Sequence, residues 1–178
     1  MHRIKNVLPV DDFLTLNEEF ESAHNNWAFT KNDGGYNHPI RGCLRKPLSN
    51  YDTIGDNLTF IKYGSHLKYK CEKLLNRKLL LYRVNTNIQF FGQESSFHQD
   101  GEESERCWTL NIFACTNWET DWGGQFVVMD ESGEYIYHSY IPNDAVLFRG
   151  HLPHMGHAPN VLCKIPRLTV AYTYREVL

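Results

Sequence analysis

The chain has 178 residues, 42% of them hydrophobic and 22% charged, with a formal net charge of −3. That is the balance of a globular protein long enough for one domain with a sizeable core, expected here to span 1–178. The acidic balance speaks against nonspecific binding to nucleic acid or to an anionic membrane, and no apolar run reaches the length of a membrane span.

The first residues, Met1 to Asn6, lack the apolar core of a signal peptide. The five cysteines are odd in number and form no Cys-x-x-Cys pair, which predicts reduced thiols, a cytoplasmic location and no structural zinc site. Val7 to Val10 reads as a short strand. Asp11-Asp12 then offers an N-cap, with Phe13, Leu16 and Phe20 at helical spacing, so a helix is expected over 11–22. Residues 26–50 carry Gly34-Gly35, Pro39, Gly42 and Pro47 with little periodicity. They read as loop or short edge strand, and 31–50, with Tyr36, Asn37, His38 and Arg41, as a lid. Residues 51–76 return to helical spacing, with Leu58, Ile61, Leu67, Cys71 and Leu74 on a stripe and Gly64 as a break.

From Lys78 the pattern becomes β. Strands are expected at 79–84, 86–91, 107–113, 125–129, 134–141, 145–148 and 167–174, separated by Gly, Pro and Asp turns. Early helices followed by at least seven short strands predict an α+β fold: a β-sandwich or jelly roll over about 79–175, supported by N-terminal helices over about 11–76.

The chemistry centres on His98-Gln99-Asp100. On an extended strand, residues i and i+2 share a face, so His98 and Asp100 can hold one metal ion with Gln99 turned away. A second histidine would complete a 2-His-1-carboxylate set, which leaves coordination positions open and is diagnostic of non-haem Fe(II) oxygenases. It must come from His151, His154 or His157. Strict alternation puts His151 and His157 on one face and His154 on the other, but Pro153 and Gly156 interrupt the strand, and spacing alone does not choose. Downstream, Arg167-Leu168-Thr169 puts a guanidinium and a hydroxyl on one face, a suitable anchor for a carboxylate.

In this order, His98-x-Asp100, the His154 segment and Arg167-x-Thr169 resemble the Fe(II)- and 2-oxoglutarate-dependent dioxygenases, above all their prolyl 4-hydroxylase-like branch. Arg106 to Leu110, Asn117-Trp118 and Trp122-Gly123-Gly124-Gln125-Phe126 resemble that branch's strand, turn and Gly-Gly hairpin. His154-Met-Gly-His-Ala-Pro159 resembles its metal-binding histidine followed by proline, and Arg167 to Tyr172 its cosubstrate strand. The resemblance covers about 79–175.

It implies a double-stranded β-helix holding Fe(II) on His98, Asp100 and His154. It also implies 2-oxoglutarate as cosubstrate, its distal carboxylate on Arg167 and Thr169. O2 would be consumed, succinate and CO2 released and an unactivated C–H bond hydroxylated, with ascorbate as a reductant. The implied substrate is a peptide or protein; the alternative is a free amino acid or small metabolite.

Two positions depart from the pattern. Phe113 stands where the branch often carries a tyrosine that helps hold the distal carboxylate, and His157 stands where a small or apolar residue is usual, keeping a second ligand assignment open. Asn111 is a candidate pocket residue, with Tyr82, Asn85, Asn87 and Gln89 from the preceding strands. Trp108, Trp118, Trp122 and residues 92–97 are candidates for the mouth. Three rivals are weighed. A nucleic-acid demethylase would be expected to show a basic groove, a noncatalytic metal module would have no need of Arg167-x-Thr169, and a cupin would use more histidines and a glutamate. Oligomeric state is left open by the sequence.

Overall fold

A computed structural model of the chain describes residues 1–21, 28–30, 43–50, 53–54 and 58–177. In chain order it contains β1 (His2–Ile4), α1 (Val10–Glu21), β2 (Ala28–Thr30), β3 (Cys43–Asn50), β4 (Thr53–Ile54), α2 (Leu58–Leu75) and β5 (Leu79–Gln89). There follow β6 (Cys107–Phe113), β7 (Phe126–Met129), β8 (Tyr135–His138), β9 (Ala145–Arg149), β10 (His154–Gly156) and β11 (Arg167–Glu176).

The strand pairings among the described residues are antiparallel and form two sheets. The larger runs β1-β9-β6-β11-β5-β3-β2, with β4 on β3, and the smaller runs β10-β7-β8. A bridge between His98 and His154 adds the His98 segment beside β10. The sheets are those of a jelly roll, a double-stranded β-helix, with the helices packed against the outer face of the larger one.

Strand alternation divides the larger sheet into two faces. Leu110 and Ile112 of β6, and Val170, Tyr172 and Tyr174 of β11, point to the helices and form one core with Phe13, Leu16 and Phe20 of α1 and Phe60, Leu67 and Cys71 of α2. The intervening residues point between the sheets. There Phe113, Val146 and Phe148 meet Phe126 and Val128 of the smaller sheet in a second apolar cluster. Beside that cluster the inner face turns polar.

Several expectations change. Val7 and Leu8 are buried coil, not strand; Asn143 pins them by accepting from the Leu8 N–H and donating to its carbonyl, and Val10 already opens α1. The helix of 51–76 is continuous from Leu58 to Leu75, and Gly64 does not break it. A Cβ there would lie 2.6 Å from the Tyr172 ring, so glycine permits the helix to approach the sheet, and the Gly64 carbonyl accepts from the Tyr174 hydroxyl at 2.9 Å. The apolar stripe falls on Phe60, Tyr63, Leu67 and Cys71, while Leu74 is exposed.

Residues 43–50 form a strand on β5 in spite of Pro47, because pairing supplies the order that local periodicity does not show. The two strands expected between 79 and 91 are one strand, β5, paired with β11 along its length. The proposed lid residues Tyr36, Asn37, His38 and Arg41 lie outside the described residues.

Candidate active site

A polar cavity opens on the inner face of the larger sheet. Its walls include Asn85, Asn87 and Gln89 of β5, Thr109 and Asn111 of β6, Arg167, Thr169 and Ala171 of β11, and His98, Asp100, His154 and Ser95. Register explains the assembly. Thr169 faces Asn87 on one neighbour, Ala171 faces Asn111 and Asn85, and Arg167 faces Gln89. Three adjacent strands thus deliver their in-phase residues to one surface.

His98, Asp100 and His154 meet here, each offering one ligand atom, all within 4.8 Å of one another. The His98–His154 bridge brings them together: each N–H donates to the other's carbonyl, at 3.0 and 2.9 Å, and the rings lie 4.4 Å apart. His98 Nδ1 lies 3.0 Å from the Ser96 carbonyl and His154 Nδ1 lies 2.9 Å from the Leu152 carbonyl. A carbonyl only accepts, so each Nδ1 carries the proton, and Nε2 keeps its lone pair for a metal. Phe148 packs on the His154 ring at 4.6 Å, and His154 is buried.

Asp100 is held on both sides. Its main-chain N–H donates to the Gly150 carbonyl at 2.8 Å, Thr109 Oγ1 donates to Oδ2 at 2.6 Å, and Arg83 pairs with Oδ1 at 3.1 Å. Burial pushes the carboxyl pKa up, but His154, Arg83, the Thr109 hydroxyl and His98 outweigh it and hold it below the ordinary carboxylate value. Gly150 has a steric reason to be glycine: a Cβ there would collide with Cys107 Sγ.

The other two histidines stand apart from the cluster. His151 lies in the turn after β9, where its carbonyl accepts from the Gln99 side chain. His157 pairs with Glu94 at 3.3 Å and stacks on Tyr137.

Arg167 is buried at the far wall of the cavity. Nε donates to the Gly124 carbonyl at 2.9 Å and Nη1 to Gln89 Oε1 at 2.7 Å. Gly124 adopts a φ of +71°, in the left-handed region that favours glycine. A Cβ on Gly156 would lie 2.9 Å from Nη1 of the same guanidinium. Tyr140 packs on the Arg167 guanidinium at 5.2 Å, with its hydroxyl bonded to the Leu168 carbonyl and the Cys115 N–H. Phe113 is buried among Phe126 and Tyr140.

Four expected mouth or pocket residues lie elsewhere. Trp108 belongs to the helix-side core and donates to Glu176 at 2.9 Å. Tyr82 lies under the Arg175 guanidinium at 3.7 Å and does not line the cavity. Trp118 packs on Tyr140 at 4.3 Å and donates to the Gly123 carbonyl, so it supports the Gly123-Gly124 turn from behind. Trp122 packs edge-on against Trp118. Of residues 92–97, Ser95 reaches the cavity.

Sequence reasoning did not single out Arg83 or Thr109. The signal for Arg83 was present: it is in phase with Asn85, Asn87 and Gln89 on the same strand.

No protein-family model matches the chain, and no curated protein matches it either. Solved structures do. A prolyl 4-hydroxylase from Pseudomonas putida matches with a TM-score of 0.70 at 14% identity, covering 99% of this chain and 92% of that one. A prolyl hydroxylase from Trichoplax adhaerens, in complex with a hypoxia inducible factor peptide fragment, matches with a TM-score of 0.69 at 17% identity, covering 98% and 83%. HygX from Streptomyces hygroscopicus, with nickel and 2-oxoglutarate bound, matches with a TM-score of 0.66 at 14% identity, covering 97% and 81%. The chain therefore has the double-stranded β-helix fold of the 2-oxoglutarate/Fe(II) oxygenases, prolyl 4-hydroxylases among them.

Proposed function

We propose that the protein is an Fe(II)- and 2-oxoglutarate-dependent oxygenase that hydroxylates an unactivated C–H bond, with a peptide or protein substrate in the manner of the prolyl 4-hydroxylases. The observation that supports this most is the meeting of His98, Asp100 and His154 in the same cavity as buried Arg167 and Thr169.

The donor set fits the metal. Two imidazole nitrogens and one carboxylate suit Fe(II), and three protein ligands leave positions for other groups. The far wall fits a dicarboxylate, since a buried guanidinium and a hydroxyl face one space. Bound there, Fe(II) and 2-oxoglutarate would supply the oxidative chemistry, in which O2 is consumed, succinate and CO2 are released and one oxygen atom enters the substrate.

The residues of the chain position and shield. His98 and His154 present Nε2 because the Ser96 and Leu152 carbonyls, each two residues earlier, hold Nδ1. Asp100 is kept anionic and in place by Arg83 and Thr109. Arg167, fixed by Gln89 and the Gly124 carbonyl, binds the distal carboxylate with Thr169, in place of the tyrosine that Phe113 cannot imitate. Asn111, buried on β6, adds an amide to the same wall. Phe126 and Phe148 pack on the His154 ring and give that end of the cavity an apolar wall. The free thiols at Cys71, Cys107, Cys115 and Cys163 suit a reducing, cytoplasmic setting. Among the described residues no helix is long and apolar enough to cross a membrane.

The test is succinate release from 2-oxoglutarate with Fe(II), ascorbate and O2, against a panel of proline-containing peptides and free amino acids. Succinate formation stimulated by peptides supports the reading. Stimulation by free amino acids alone would move the substrate to small molecules. No turnover with any substrate, coupled or uncoupled, would contradict the proposal.

A further inference from the structure

Asp100 carries more side-chain support than a lone ligand needs. Oδ2 accepts from Thr109 Oγ1 at 2.6 Å and lies 3.6 Å from His154 Nε2. Oδ1 faces the other way, onto Arg83 Nη2 at 3.1 Å. The same nitrogen lies 3.2 Å from the Asp100 main-chain carbonyl and 3.5 Å from Thr173 Oγ1. One guanidinium nitrogen therefore touches both the backbone and the carboxylate of Asp100.

The sheet builds this grip. Thr173 stands opposite Arg83 on β5 and opposite Thr109 on β6, so the three form one cross-strand row. Thr109 and Thr173 are buried, and the row lies on strands with partners on both sides. Its position relative to Asp100 is set by the register of three strands, a far stiffer frame than a loop.

Resting on the proposed Fe(II) site, we propose that Arg83, with Thr109, is a positioning residue for the metal, keeping Asp100 a one-oxygen ligand. With Arg83 on Oδ1, a single oxygen, Oδ2, is turned to the imidazoles. A carboxylate with both oxygens free can bind a cation through both, taking a position that the cosubstrate or O2 needs. The held carboxylate also loses less freedom when metal binds, and such outer partners commonly set metal affinity. Arg83 touches Asp100 and acts through it.

The test is anaerobic Co(II) titration of the purified full chain, wild type and Arg83→Met, Arg83→Lys and Thr109→Val, with unfolding midpoints measured beside it. Wild type is expected to bind one Co(II). Arg83→Met is expected to bind it roughly 10- to 100-fold more weakly. Arg83→Lys is expected to recover part of the loss, since it restores a cation without the planar guanidinium. A folded Arg83→Met that binds Co(II) within about twofold of wild type would overturn the inference, whatever its unfolding midpoint.

If Arg83→Met does not fold, Arg83→Lys and Thr109→Val decide. Weaker binding by both supports the grip, and wild-type affinity in both overturns it. If His154→Ala binds Co(II) as tightly as wild type, the metal site itself is misassigned and the inference falls with it. That result is distinct from failure of the Arg83 variants alone.

Discussion

The two faces of the larger sheet are built from the same strands and do opposite work. On β6 and β11 the helix-side residues Leu110, Ile112, Val170 and Tyr172 are apolar or aromatic and fully buried. Their neighbours Thr109, Asn111, Arg167 and Thr169 are also buried, and polar. Burying polar groups costs stability unless they are hydrogen-bonded. The inner face meets that cost with side-chain pairs such as Arg167–Gln89 and Thr109–Asp100. The helix face supplies the free energy of folding, and the inner face uses some of it to hold a charged site in one geometry. A change on one face should therefore be felt in stability, and on the other in binding and turnover.

The sharpest break of this comparison is on the inner face. His154→Ala is expected to abolish succinate release while the unfolding transition remains cooperative; a turnover assay beside circular dichroism checks both. Arg167→Met is expected next. It removes the charged partner of the cosubstrate, a loss of about 2–5 kcal/mol, read as a rise of roughly 30-fold or more in the KM for 2-oxoglutarate.

On the opposite face, Leu110→Ala is expected to cost about 2–5 kcal/mol in urea unfolding, with metal affinity of the folded protein unchanged. Gly64→Ala should cost about 1–3 kcal/mol by forcing α2 away from Tyr172. The smallest effect belongs to His138, buried in β8. Burial, and then Arg3, lower its pKa from the ordinary 6.5. The folded imidazole stays neutral where the unfolded one takes a proton. Its contribution is thus present above about pH 6.5 and lost as pH falls towards the lowered value. The midpoint should drop between about pH 7.5 and pH 5.5, and drop less in His138→Gln.

How much of this was legible follows from the range of the interactions. His98-x-Asp100 and Arg167-x-Thr169 could be seen because a strand's alternation is local, and two residues suffice to show a shared face. The core of α1 was visible for the same reason, at helical spacing. The choice among His151, His154 and His157 was not local. What the structure shows is that His154 is the one of the three that lies beside His98 and Asp100, through a bridge between His154 and His98, 56 positions apart by their numbering. Tyr82 was named with Asn85, Asn87 and Gln89 although it is out of phase with them, while Arg83, which is in phase, was not; in the structure Arg83 pairs with Thr173, and the register shift before Tyr174 falls at Tyr82. Trp108 looked like a mouth residue because nothing in its neighbours says which face of β6 the helices cover. Gly64 looked like a break because close approach to Tyr172 is a tertiary fact.

The central claim is that one cavity holds a metal on His98, Asp100 and His154 and a dicarboxylate on Arg167. The most direct measurement is anaerobic calorimetric titration of 2-oxoglutarate into the Mn(II)-loaded and metal-free chain, wild type, His154→Ala and Arg167→Met. One Mn(II) and one 2-oxoglutarate per chain are predicted, with 2-oxoglutarate binding dependent on metal and severely weakened in both variants. Metal-independent binding, or wild-type affinity in either variant, would contradict the account.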